Sequence, residues 1–431
     1  MTQTFRALGI RNYRIYATGG IVSNIGTWMQ RVAQDWLVLQ LTGSAAVLGI
    51  TTGLQFLPML LFSMWGGVLA ERYPKRRVLV CTQAFMAATA AVLGVLVLTG
   101  TVATWHVFVL AFLLGVGTAV DGPARQSFVI EIVGRADVPN AVGLNSASFN
   151  VARIIGPSVA GFLIVAFGDN TGPVFLLNAA SLAAVIFALT RLRTEELQPA
   201  PVLERGAGQL RQGIRYVLAR PELLCVLGVI FFAGTFGLNF QMTTALMATE
   251  VYDKGAGEYG LLGSILAIGS LSGALLSARR GAPQLRLIVV AGLGFGSLTI
   301  VAGLMPTYWL FAISLIPVGF SALTLITSAN AMIQLGVEAT MRGRVMALYL
   351  TMFMGGTAFG APLIGLLAEL FGARWSLIGG GLITLVGAAV SALVLLHRQG
   401  SALPEVPMCL RRHSVPEAID DDLISDVARR P

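Results

Sequence analysis

The chain has 431 residues, of which 55% are hydrophobic and only 12% charged, with a formal net charge of +8 and a mean hydropathy of +0.78. A soluble domain carries about 25% charged residues, so an ordinary soluble enzyme is excluded. High apolar content excludes disorder, and Cys81, Cys225 and Cys409 are too few for a disulfide scaffold, which leaves a polytopic membrane protein.

Apolar runs of roughly 20 residues, the length that crosses a hydrocarbon core, recur along the whole chain. They predict twelve spans near 15–41, 45–70, 77–99, 105–130, 141–167, 174–191, 221–249, 259–278, 286–304, 308–335, 344–370 and 375–397. The runs are rich in Gly and Ala and lack strand-like alternation, so they are expected to be helices.

Residues 1–14 interleave Arg6, Arg11 and Arg14 with aromatics and run straight into a full-length span. The pattern predicts a cytoplasmic interfacial segment, with no signal peptide. Predicted helix 1 places Asn24, Trp28, Arg31 and Asp35 on one face. A charge near the bilayer centre costs about 2.5–3.5 kcal/mol on insertion scales, so that face is expected to point into a central cavity. Between predicted helices 2 and 3 the chain reads Gly67-Val68-Leu69-Ala70-Glu71-Arg72-Tyr73-Pro74-Lys75-Arg76-Arg77. Helix 4 contributes Gly115 and then Asp121-Gly122-Pro123-Ala124-Arg125; Pro139-Asn140 and Asn145-Ser146 follow. Helix 5 carries Arg153 near its middle, then Gly156-Pro157 and Gly161. Proline removes a backbone donor and glycine permits close contact, so a kinked, bendable helix is expected there.

Arg31 and Asp35, like Asp121 and Arg125, stand four residues apart, so both can be self-neutralising pairs. Arg153 then remains over, which gives a net positive wall favouring substrates with anionic or polar acceptor groups, unless one aspartate serves it. On the functional reading Asp35 titrates during a cycle. Burial favours the neutral acid and a neighbouring guanidinium the carboxylate, so separating and rejoining the two would couple proton uptake to a rocking motion.

Residues 192–220 form a basic, proline-containing linker that divides a first six-helix bundle, 15–191, from a second, 221–397. Helix 7 supplies Phe236, Asn239 and Gln241, and helix 10 Asn330, an aromatic and hydrogen-bonding wall suited to a bulky amphipathic compound. Glu250 and Glu369 are expected to be hydrated at outer helix ends. The tail, 398–431, contains Asp420, Asp421 and Asp422 and reads as a disordered cytoplasmic end. Gly156, Gly161 and Phe167-Gly168 recur 204 residues later as Gly360, Gly365 and Phe371-Gly372, and Gly115 recurs as Gly319. Two homologous halves are the signature of a transporter that rocks one bundle against the other.

Of the 29 Lys and Arg, 24 fall on the N-terminus, the even-numbered connections and the tail, against Lys254 and Arg374 on the opposite side. Basic loops resist translocation, so both termini are expected in the cytoplasm. Lys75 and Lys254 are the only lysines and neither ends a phosphate-binding loop, so no ATP site is expected. Three scattered histidines argue against a metal site.

The connection around Gly67, Glu71, Arg72 and Arg76 resembles the signature loop of the major facilitator superfamily, with Glu71 in place of the usual Asp and Pro74 in place of the second Gly. Gly156-Pro157 with Gly161 resembles that superfamily's antiporter motif. Together with the helix 4 motifs, the chain is similar over residues 4–397 to the branch that contains the enterobactin exporter and macrolide-efflux proteins. Ala111 stands where many drug antiporters carry Arg, so their proton-relay arginine is not carried over. The resemblance implies an all-α membrane protein of twelve transmembrane helices in two pseudo-symmetric bundles in a bacterial plasma membrane. It implies proton-coupled efflux of a small amphipathic drug, antibiotic or siderophore by alternating access, driven by the proton-motive force with no cofactor. Gly67, Glu71, Arg72 and Arg76 would be gating residues, with the acidic group meeting the helix 11 end near Gly343 to Ala347. A solute importer or uniporter is the competing transporter. A membrane enzyme or receptor is disfavoured, because no nucleophile, base or metal constellation and no sensor domain is evident. A small-molecule substrate and membrane lipid are the expected partners, with no nucleic acid, and the chain is expected to act as a monomer.

Overall fold

Glycine and capping hydroxyls turn one apolar run into the next. The first helix ends at Gly43, whose φ of 59° lets its amide close back on Leu39, and Ser44 then accepts from the Val47 amide to start the second. The computed structural model describes residues 3–198, 209–279 and 284–401, and every regular element in them is helical. The first half comprises α1 (Arg11–Thr42), α2 (Ala45–Arg72), α3 (Lys75–Leu98), α4 (Thr104–Gly134), α5 (Ala136–Ala166) and α6 (Gly172–Thr190). After a linker helix, Gln209–Leu218, come α7 (Pro221–Val251), α8 (Ala256–Arg279), α9 (Leu285–Gly303), α10 (Tyr308–Gly336), α11 (Thr340–Phe371) and α12 (Arg374–Ser401).

Among the described residues, 11 helices are long and apolar enough to cross a membrane. The exception, α1, has 32 residues but is diluted by Asn24, Gln30, Arg31, Gln34 and Asp35. The largest boundary difference lies between α4 and α5, where a loop over 131–140 was expected. There Gly134 alone makes the turn at a φ of 69°, and Pro139 falls in the first turn of α5, where its missing N–H costs nothing.

Among the described residues, the connections from α2 to α3, α4 to α5 and α10 to α11 gather with the described chain ends at one end of the molecule, the near end. There the Arg76 Nε donates to the Leu189 carbonyl at 2.7 Å, Lys75 pairs with Glu131 at 2.6 Å, and Arg398 donates to the Leu218 carbonyl at 3.2 Å. The opposite, far end is tied by Gln40 on the Asp169 carbonyl at 2.9 Å and by Tyr252 and Arg374, each 2.8 Å from the Met305 carbonyl.

Two helix pairs, α2 with α11 and α5 with α8, carry most of the packing between the halves. Both are glycine contacts of backbone on backbone. A Cβ added at Gly161 would lie 2.5 Å from the Ala256 carbonyl oxygen, and one at Gly365 2.6 Å from that of Ala45. Within the halves, Gly115 stands in the same relation to Gln55 as Gly319 to Leu266. The repeat of 204 residues therefore has a spatial counterpart. Its partners follow a different interval, since Ala45 and Ala256, like Gln55 and Leu266, stand 211 residues apart.

Candidate functional site

The two Arg–Asp pairs that look alike in sequence have different environments. Asp121 in α4 is fully engaged within the first half. Its Oδ1 accepts from the Thr82 hydroxyl at 2.9 Å and from Gln83 Nε2 at 2.8 Å, both on α3, while Oδ2 pairs with Arg125 Nε at 2.9 Å. A buried carboxylate with three donors is a clasp between α3 and α4. The expectation that Asp121 and Arg125 line a cavity is corrected accordingly: Thr82 and Gln83 satisfy Asp121 inside the bundle, and Asp121 in turn holds Arg125.

No such closure occurs at Arg31 and Asp35. Asp35 is 6% exposed and accepts from the hydroxyl of Tyr259 in α8 at 2.9 Å. The Gln241 carbonyl of α7 is a second acceptor for that hydroxyl at 3.2 Å. This contact crosses from one half to the other. Arg31 instead lies over the Trp28 ring, 5.0 Å from its centroid, and 5.9 Å from that of Phe56, with its buried Nε unpartnered. The expected Arg31–Asp35 ion pair is thus absent among the described residues: an aromatic wall holds the cation and a tyrosine the acid.

Arg153 has two buried guanidinium nitrogens, Nε and Nη2, without a partner, so neither aspartate serves it. Asn24 Nδ2 reaches the Ser148 hydroxyl at 3.3 Å, and Trp28 meets Phe149 edge to face at 5.6 Å. Gly156 faces α1, where a Cβ would lie 2.5 Å from Trp28 Cβ. Pro157 and Gly161 instead face α8; the Pro157 carbonyl would meet a Cβ on Gly260 at 2.3 Å.

The residues expected in the second half do not form one wall. Gln241 joins the Asp35–Tyr259 group, and its Nε2 has no partner. Asn239 folds back on the Thr235 carbonyl at 2.9 Å, leaving Oδ1 unpartnered. Phe236 turns away into a recess of about 250 Å³ lined by Leu363, Leu366, Leu367, Leu370 and Ile383. Asn330 accepts from Gln334 one turn along α10. An aromatic or amide side chain follows whatever backbone or apolar surface is nearest, which residue type alone does not reveal.

In the signature loop, Arg76 also donates to the Thr190 carbonyl at 3.0 Å, and so fastens the C-terminus of α6 within the first half. Arg72 is exposed at the end of α2, and Gly67 is buried just before it. The Glu71 side chain lies outside the described residues.

Two further residues matter that the sequence did not single out. Tyr259 falls at the expected start of helix 8, where an interfacial tyrosine is ordinary. Glu369 was expected to be merely hydrated. Although exposed, it reaches across to α2, where its Oε2 accepts from the Ser44 hydroxyl at 3.0 Å and the Ala46 amide at 3.2 Å.

Residues 2–421 match the family described as Transmembrane secretion effector. The chain is 29% identical to the multidrug efflux pump Tap of Mycolicibacterium fortuitum, over 80% of this chain and 85% of that one. It is 24% identical to macrolide efflux protein A of Streptococcus pyogenes, over 87% and 93% of the two chains. With the enterobactin exporter EntS of Shigella flexneri the identity is 25%, over 91% and 94%. In fold it is similar to a bacterial homologue of the human lysosomal transporter Spinster in an inward-facing, unoccupied conformation. That match has a TM-score of 0.70 at 16% identity and covers 94% of this chain and 100% of the other.

Proposed function

This chain belongs to the Transmembrane secretion effector family of the major facilitator superfamily, whose members are transporters and not enzymes, and on that footing we propose that it exports a small amphipathic compound in exchange for protons. The observation that carries the reading is the hydrogen bond from Tyr259 to Asp35. It is a buried carboxylate on the seam between the halves, hydrogen-bonded by the opposite half and in no direct ion pair among the described residues. Relatives named as efflux pumps and exporters support the outward direction.

In this reading all twelve helices span the plasma membrane, both termini are cytoplasmic, and the far end faces outward. The glycine contacts of α2 with α11 and α5 with α8 then close the outer side. Asp35 lies seven residues before the end of α1, about 10 Å below that surface. When the outer side opens, Asp35 parts from Tyr259, meets external water and takes up a proton as substrate leaves. Reclosure restores the tyrosine contact and carries the proton inward, where its release accompanies binding of the next substrate. Each conformation thus differs in how it satisfies the acid, which is what coupling requires.

The test uses protein reconstituted in vesicles with an imposed proton gradient. Asp35→Asn abolishes gradient-driven efflux while substrate binding persists, and Tyr259→Phe leaves transport but weakens its coupling. Efflux by Asp35→Asn equal to that of the parent protein overturns the reading.

A further inference from the structure

Arg31 on α1 and the stripe of α5 that carries Arg153 both lie against Trp28. The Arg31 guanidinium lies over the Trp28 ring at 5.0 Å. On α5, residues 149, 153 and 156 form one stripe at helical spacing. Its two ends both touch Trp28, Phe149 through its ring at 5.6 Å and Gly156 at the backbone. Arg153 stands between them. Three buried nitrogens of these two arginines have no acceptor. Neither forms a direct ion pair with a carboxylate among the described residues: Asp121 is taken up by Arg125, Thr82 and Gln83, and Asp35, one turn along α1 from Arg31, accepts from Tyr259. Donors left bare in this way are costly unless something supplies an anion.

Phe149 is 46% exposed beside them, and each arginine is half-buried as a residue although its unpartnered nitrogens are covered. Trp28 and Phe149 supply flat apolar surface, and the two guanidiniums supply a forked set of donors matched to a carboxylate, sulfonate or deprotonated catechol. We infer that this patch on α1 and α5 is the anchoring subsite for substrate, and that the substrate is an amphipathic anion whose charged group docks on Arg153 and Arg31 while its ring stacks on Trp28 and Phe149. The inference rests on reading the chain as a transporter, and it narrows the cargo to one charge class. Cationic amphiphiles are excluded from this subsite by the two guanidiniums.

Two tricyclic xanthene dyes of matched size, fluorescein as the anion and pyronin Y as the cation, separate the possibilities. Binding to the purified full-length protein is followed by fluorescence anisotropy in mildly alkaline buffer. Fluorescein is expected to bind, to weaken as salt is raised, and to lose about tenfold or more in affinity in Arg153→Gln, with Arg153→Lys retaining most of it. Pyronin Y is expected to bind poorly to all three. Should Arg153→Gln fail to fold, Arg31→Gln and the salt dependence of the parent protein carry the test. Equal affinity for both dyes, no fluorescein binding, or fluorescein binding indifferent to Arg153 and Arg31 overturns the inference. Arg153-dependent fluorescein binding without gradient-driven transport of either dye overturns the export reading alone and leaves the anion subsite standing.

Discussion

A carboxylate inside an apolar bundle is tolerable only if donors replace the water it has lost, and Asp121 and Asp35 meet that demand in opposite ways. Asp121 draws all three donors from its own half, so it is satisfied whatever the two halves do. Asp121→Ala leaves Arg125 buried without its partner and should cost about 3–5 kcal/mol, read as a lowered unfolding temperature of the purified protein. Thr82→Val removes one donor of three and should cost about 1 kcal/mol in the same measurement. Both Arg–Asp pairs share a spacing of four, and nothing in that spacing separates the clasp from the contact across the seam. The difference was set by neighbours far away in sequence, Thr82 and Gln83 for one pair, Trp28, Phe56 and Tyr259 for the other. The polar Thr82-Gln83 step within an apolar run was the legible hint of the first. Tyr259 gave no comparable hint, because a tyrosine at a helix start has an ordinary interfacial explanation.

Helix pairs show the reverse balance, since much of their geometry was readable. Of the glycines that recur at 204 residues, Gly161 and Gly365 are where α5 and α11 press their backbones on the other half, while Gly156 and Gly360 pack within their own halves. The glycines they meet on α2 and α8 were not legible, because those helices follow the 211-residue interval. Contacts of this kind have no interlocking side chains and shallow surfaces, so they separate as rigid bodies with little repacking. They are also intolerant of bulk. Gly260→Leu would drive its side chain into the Pro157 carbonyl, 2.3 Å from the added Cβ, and overpacking of that sort costs about 1–3 kcal/mol. The halves should part at the far end, read as a longer distance between spin labels at Asp169 and Lys254. Gly294→Leu, whose Cβ meets nothing within 4 Å, should leave the distance unchanged.

For the whole molecule, hydropathy located the helices well because a span must be long and apolar, and the limits of α2, α7 and α10 fall within two or three residues of those expected. It placed α1 at 15–41 against the observed Arg11–Thr42, although the polar residues that give that helix its chemistry also lower its apolar content. Basic residues crowd the near end, where Arg6, Lys75, Arg76, Arg193 and Arg220 all find carboxylate or carbonyl partners. In the proposed orientation, alkaline phosphatase inserted at Asp253 should be active and the same enzyme fused at Arg398 inactive; the opposite pattern would invert the orientation and with it the proposed direction of transport.

The reach of Glu369 into the other half has a consequence for α2 itself. A helix begins with amides that its own turns cannot satisfy, and here the amide of Ala46 borrows its acceptor from α11. The first turn of α2 is complete only while the two halves touch. Parting them hands that amide to water, a nearly even exchange at an exposed site. The Ala46 N–H is therefore a built-in separation gauge, shielded from solvent exchange while the halves touch at the far end and open to it when they part, at almost no cost to the equilibrium it reports.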